Sequence, residues 1–192
     1  MRKIISLFQR NYDGNRLVRN EVVPGAEWVL AGEGVATQKL DGTCCMIQGG
    51  ILYKRYDAKK GKQPPPGFIP AQPPDETTGH WPGWLRVGEG SEDRYFREAW
   101  DDFVRNVSGG SPDPYFDGTY ELCGPKVQGN PEGVSHHILF RHGQHPLDDA
   151  PRNFDELREF FQTQNIEGIV WHHPDGRMVK IKAKDFGIKR KV

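Results

Sequence analysis

Long apolar runs are missing from these 192 residues. No window approaches the roughly 20 apolar residues of a membrane span, and no long apolar core follows Arg2-Lys3 as a secretory leader requires. Cysteine is scarce: Cys44, Cys45 and Cys123 are the three present. That number is odd and no two form a Cys-x-x-Cys pair, so a disulfide framework is excluded and a reduced, intracellular protein is the expectation. His136-His137 and His172-His173 are adjacent pairs, not helical i, i+4 pairs, and no cysteine pattern completes a zinc site with them. A surplus of either charge is also missing: 26 Lys and Arg face 26 Asp and Glu, so overall charge does not mark a nucleic-acid binder. The glycine-rich stretches match neither a Walker A loop nor a dinucleotide-binding fingerprint. There is no internal repeat.

What the chain does have is glycine and proline, 23 and 15 residues, which favour turns and loops over long helices, and enough aromatic residues for a core. The length indicates a single domain over 1–192. Lys3 to Phe8 suits a first strand or a short helix. Asn11 to Asn20 is polar, with a turn signal at Asp13-Gly14. Ile51 to Tyr56 returns from a hairpin closed by Gly49-Gly50. Asp93 to Val107 places Phe96, Trp100, Phe103, Val104 and Val107 on one helical face, ending at Ser108-Gly109-Gly110. Tyr115 to Cys123 and His136 to Arg141 read as strands. Asn153 is the cap of a helix over Asn153 to Thr163. Ile166 to His172 and Met178 to Ala183 form a hairpin across Pro174-Asp175-Gly176. Strands outnumber helices, which predicts an α+β class with antiparallel sheets flanked by helices.

One stretch organises the rest: Gln38-Lys39-Leu40-Asp41-Gly42-Thr43, with apolar approach and exit. It reads as strand, tight turn, second strand, holding the Lys39 amine at the mouth of a pocket. A lysine there is a nucleophile if its surroundings keep it deprotonated. Lys180 and Lys182 alternate on one strand and so share a face, with Ile181 on the other. Glu167 opens the apolar run Gly168-Ile169-Val170.

Lys-x-Asp-Gly resembles motif I of the covalent nucleotidyltransferases, the polynucleotide ligases and mRNA capping enzymes. Arg55, Tyr120-Glu121-Leu122-Cys123-Gly124, Phe140, Glu167-Gly168-Ile169-Val170 and Lys180-Ile181-Lys182 follow in the order of the later motifs of that superfamily. The resemblance runs from about Val35 to Phe186 and is closest to a small family of ATP-dependent 5′-to-3′ RNA ligases. Gly67-Phe68-Ile69-Pro70, Gly79-His80-Trp81-Pro82-Gly83-Trp84 and the segment Glu121 to Pro131 are similar to loops of that family.

The resemblance implies a nucleotidyltransferase (ATP-grasp-like) fold, and with only Asp185 to Val192 after the last motif no C-terminal oligonucleotide-binding barrel is expected. It also implies a three-step reaction. Lys39 takes AMP from ATP and releases pyrophosphate, the AMP passes to an RNA 5′-phosphate, and a 3′-hydroxyl displaces it. ATP is the co-substrate, and Mg²⁺ or Mn²⁺ the metal, held by Glu167. Gln38, Lys39, Gly42, Arg55, Glu121, Phe140, Glu167, Lys180 and Lys182 are the implied ATP contacts, with Glu121 on the ribose, Phe140 on adenine and Lys180 and Lys182 on phosphate. The partner would be RNA with 5′-phosphate and 3′-hydroxyl ends, the enzyme a monomer with no membrane partner. A DNA ligase, a capping-type guanylyltransferase and a non-catalytic binder on the same fold are the alternatives.

The Pro-rich segment 58–90 is expected to be an ordered surface loop at the pocket rim. Lys59, Lys60 and Lys62 there, with Lys54 and Lys126, are candidate contacts for pyrophosphate or nucleic acid. From Arg177 onward seven basic residues face only Asp185, a second surface suited to RNA.

Overall fold

A computed structural model of the chain describes residues 2–106 and 116–191. Its elements in chain order are β1 (Ile5–Ser6), β2 (Phe8–Arg10), β3 (Val18–Val22), α1 (Glu27–Leu30), β4 (Val35–Lys39), β5 (Thr43–Gln48), β6 (Ile51–Ala58), β7 (Ile69–Pro70), β8 (Trp81–Arg86), α2 (Arg94–Asn106), β9 (Gly118–Cys123), β10 (Ile138–Arg141), α3 (Phe154–Thr163), β11 (Gly168–His172) and β12 (Met178–Lys182). The class is α+β with mostly antiparallel sheets, and no sheet among the described residues closes into a barrel. No described helix is long and apolar enough to cross a membrane. Val107, Ser108-Gly109-Gly110 and Tyr115, where a helix end and a strand start are expected, lie outside the described residues.

The chain divides into two compact units, one formed by Met1–Lys3 and Asp41–His142, the other by Ile4–Leu40 and Gly143–Val192. The chain leaves one unit after Leu40 and returns to it at Gly143.

The unit containing Asp41–His142 is built on a six-stranded antiparallel sheet in the order β10-β9-β5-β6-β8-β7. Strand alternation turns Cys45, Ile47, Leu52, Tyr120, Leu122 and Leu139 to one face. There they pack with Ala99 and Phe103 of α2 and with Val127. The i, i+3, i+4, i+7 pattern of Phe96, Ala99, Trp100 and Phe103 is what lets α2 cover that face. Cys45 is fully buried in this core, and burial pushes its thiol well above the usual range.

The segment read as a Pro-rich loop is partly sheet. Trp81 to Arg86 is β8, paired in register with Tyr53 to Ala58 of β6, while Ile69 and Pro70 add a short edge strand. Pro82 is tolerated because a proline lacks only its donor: its carbonyl still accepts from the Ala71 N–H at 3.0 Å. The aromatic residues of the segment explain its order. Phe68 packs edge-on against Tyr56 and Trp81, with ring centroids 6.0 and 5.3 Å apart. Trp84 is buried beneath Arg55.

The other unit holds a four-stranded sheet, β1-β12-β11-β4, and the two-stranded pair β2-β3. The β11-β12 hairpin forms as its turn residues indicate. β3 was hidden by its polar letters: of Val18 to Val22 only Val18 is buried, so neither composition nor alternation announces a strand. α3 begins at its expected cap, Asn153, whose side chain accepts from the Glu156 N–H at 3.0 Å. Leu157 and Phe161 of α3 join Ile169, Trp171, Val179 and Ile181 in the core. Truncating a fully buried leucine such as Leu157 to alanine costs about 2–5 kcal/mol.

The stretch around Lys39 is not a hairpin. β4 pairs with β11, and β5 pairs with β6 and β9 in a different sheet. Asp41-Gly42 has the letters of a hairpin turn, but Gly42 serves another purpose. A Cβ there would lie 2.2 Å from the Leu122 carbonyl oxygen, so only glycine lets the backbone run this close to β9.

Candidate active site

Three lysines and one glutamate meet in the unit of β4, β11 and β12. The register pairs Lys39 with Gly168 and Gly168 with Lys182 across three adjacent strands, and Lys180 lies two residues earlier on the same face of β12. Gly168 is required for this spacing: a Cβ would stand 2.2 Å from the Ile181 carbonyl oxygen. Glu167, just before β11, bridges the row. Its Oε2 lies 2.5 Å from Lys39 Nζ and its Oε1 2.6 Å from Lys182 Nζ. Lys39 Nζ also donates to the Leu40 carbonyl at 3.4 Å.

The electrostatics follow from that geometry. Burial by itself raises the Glu167 carboxyl, but the Lys39 charge and the hydrogen bonds from Lys182 and Lys39 outweigh it and hold the group below the usual carboxylate range. Lys180 moves the other way. Its burial and the charges of Lys182 and Lys39 lower it to about 8, against weaker opposing pulls from Glu167 and Asp185. Asp185, itself buried, accepts from the Lys182 backbone N–H at 3.0 Å and pairs with Arg10, which fixes the end of β12. The cluster carries three cationic side chains for one carboxylate at its centre, an arrangement complementary to a polyanion. Glu167 is a hard oxygen donor of the type Mg²⁺ accepts, and a metal there would replace one of the two ammonium groups.

Gln38 pairs with Ile169, which turns its side chain to the sheet face opposite Lys39. Its backbone N–H donates to the His145 carbonyl at 2.8 Å.

In the other unit, the six-stranded sheet sets further predicted residues on the face away from α2. Phe140 stands opposite Glu121, and Glu121 opposite Cys44. Alternation puts Arg55 on this face too, with Trp84 directly opposite it and the guanidinium 4.9 Å from the ring centroid. Glu121 is 7% exposed. Its Oε1 accepts from the Gly42 N–H at 3.0 Å, and its Oε2 lies 2.9 Å from His142 Nε2. The other ring nitrogen of His142 lies 3.0 Å from Thr119 Oγ1.

His142 and Cys44 were missed by sequence reasoning, which weighed only the adjacent histidine pairs. The available signal was period two: Ile138 and Phe140 share a face of β10, and His142 follows two residues later, just past the strand's end. Cys44, Glu121 and His142, none of them in those pairs, bring possible ligand atoms within 4.8 Å of one another. His137 is structural by contrast, stacked on Tyr95 and held by Glu98 at 2.7 Å.

Lys54 points to the helix-covered face, as alternation from Arg55 requires, and its Nζ sits 2.5 Å from the buried Asp93. That commits the amine to anchoring the start of α2. Lys59, Lys60 and Lys62 are exposed between β6 and β7, and Lys126 is exposed after β9.

Comparison with known proteins adds sequence evidence. A family model described as RNA ligase 1 matches residues 112–192, which include Glu121, Phe140, Glu167, Lys180 and Lys182. RNA ligase 1 of Mus musculus is 27% identical over 223 aligned residues, covering 80% of this chain and 67% of the relative. RNA ligase 1 of Danio rerio is 25% identical with the same coverage.

Proposed function

For a chain thus related to the RNA ligase family, we propose that it is an ATP-dependent RNA ligase of the covalent nucleotidyltransferase fold, with Lys39 as the nucleophile. The observation that carries this reading is the cluster of Lys39, Lys180 and Lys182 around Glu167.

Lys39 Nζ attacks the α-phosphorus of ATP, forming a P–N bond as the bond to the pyrophosphate oxygen breaks. The attack needs the neutral amine, so the ammonium first gives up a proton. Glu167 opposes that loss while it pairs with Lys39, and Lys180 and Lys182 favour it. Engaging Glu167 elsewhere would take away the carboxylate that holds the Lys39 ammonium. Lys180 and Lys182 then neutralise charge building on the phosphate during transfer. Glu167 would hold a divalent metal, which when bound supplies further charge neutralisation on the phosphates. By the resemblance, Glu121 takes the ribose hydroxyls, Phe140 stacks on adenine and Arg55 binds phosphate or ribose. Their common sheet face supports that assignment.

The second and third steps use the same groups. AMP passes to the 5′-phosphate of RNA and Lys39 leaves as the amine. The RNA 3′-hydroxyl then attacks the activated phosphate and AMP departs.

The experiment is intact-mass measurement after incubation with ATP and Mg²⁺. One added AMP per chain is expected, with pyrophosphate release, and Lys39→Ala and Lys39→Arg should both show none, since arginine keeps the charge but has no titratable amine. Joining of 5′-phosphorylated RNA should follow. Full labelling of Lys39→Ala would remove Lys39 from the reaction.

A further inference from the structure

We propose that Cys44, Glu121 and His142 form a binding site for a thiophilic divalent ion, Zn²⁺ by preference. Sγ, a carboxylate oxygen and an imidazole nitrogen from these three residues lie within 4.8 Å of one another. Two paired strands and the residue just past the end of a third supply them. Cys44 on β5 stands directly opposite Glu121 on β9, and His142 continues β10 through its backbone bond to the Thr119 carbonyl at 3.0 Å. The β5-β9 ladder holds Cys44 and Glu121, and the backbone bond to Thr119 holds His142, before any metal arrives.

The outer contacts are those of a metal centre. Thr119 Oγ1 holds His142 Nδ1 at 3.0 Å, which aims Nε2 at the cluster. The Gly42 N–H holds Glu121 Oε1 at 3.0 Å, which leaves Oε2 turned to His142. Partners of this kind fix ring tautomer and carboxylate orientation around bound zinc. The donor set decides the metal. One sulfur, one nitrogen and one oxygen suit Zn²⁺ and disfavour Mg²⁺, which takes oxygen ligands. Three protein donors leave a fourth tetrahedral position open to water or an anion. Binding converts the Cys44 thiol to thiolate, and its proton goes to solvent.

Glu121 is also the ribose contact of the proposed function, and on that reading zinc and ATP exclude each other at this carboxylate. The test needs no nucleotide, so it decides the metal site whether or not the chain ligates RNA. The full chain is titrated with Co²⁺ as a spectroscopic stand-in and then with Zn²⁺. One equivalent of Co²⁺ should give a thiolate-to-metal charge-transfer band and intense tetrahedral visible bands, and Zn²⁺ should abolish both. Cys44→Ser should remove the charge-transfer band. Cys44→Ser and His142→Gln should each weaken Zn²⁺ binding by about tenfold or more, whereas Cys123→Ser should bind as the wild type does. Circular dichroism checks that each variant is folded, and the wild-type spectrum stands without any variant. A Co²⁺ complex lacking the thiolate band, or wild-type zinc affinity in both folded variants, would overturn the site.

Discussion

Glu167→Gln isolates the ion cluster from the rest of the fold. The substitution keeps size and shape but removes the one negative charge between Lys39 and Lys182. Deleting one partner of a fully buried ion pair costs about 3–5 kcal/mol. Here the glutamate side chain is 11% exposed and its lysines 21% and 18%, so solvent screens part of the charge left behind. Glutamine also retains an acceptor, and a loss of about 1–2 kcal/mol is expected. For a chain of this size each kcal/mol moves Tm by about 2–4 °C, so Tm should fall by about 2–8 °C at neutral pH. The sign of the pH dependence is fixed. The Glu167 pKa is depressed in the fold, so its contribution is present above the ordinary glutamate pKa and lost as pH falls through the lower folded value. The gap in Tm between wild type and Glu167→Gln should therefore be full at pH 7 and close in acid. Scanning fluorimetry across pH measures it. Equal Tm values at pH 7, or a gap that widens in acid, would refute the reasoning.

The other predictions concern separate elements. Lys180→Met should be more stable than wild type at neutral pH, because burial lowers the Lys180 amine to about 8. A lysine lowered in the fold stops opposing folding as pH rises from about 8 toward its unfolded value near 10.4, so thermal scans should show the wild type gaining on the variant across that window. Asn153→Ala removes the cap of α3 and should cost about 1 kcal/mol of stability by denaturant titration, with AMP transfer to the protein unchanged. Alanine at Lys59, Lys60 and Lys62 together should leave Tm unchanged, since all three are exposed. It should lower the salt slope of single-stranded RNA binding by up to about 2, and an unchanged slope by filter binding would take these lysines out of the RNA surface.

Much of this protein was written in local patterns. The period-3.6 spacing of Phe96, Trp100 and Phe103, the Asn153 cap, the turns at Gly49-Gly50 and Pro174-Asp175-Gly176, and the common face of Lys180 and Lys182 depend only on near neighbours in the chain. Such patterns can be read without knowing what packs above them. Where the pattern was local but the partner was not, the reading failed. Lys39 to Thr43 has the letters of a hairpin, but β4 and β5 pair in different sheets, and Gly42 is there for the close approach of β9. Trp81 to Arg86 looks like loop because of Pro82 and Gly83, and becomes strand because β6 supplies its hydrogen bonds.

The site divides along the same line. Its residue types were visible in sequence, but their juxtaposition was not. Glu167 reaches Lys39 across 128 positions of chain, and Cys44 meets Glu121 and His142 only once three strands are in register. Sequence determined which side chains face together on each strand. The tertiary structure decided which strands lie side by side, because strand pairing between distant segments is set by the summed burial of both sheet faces and not by any single stretch.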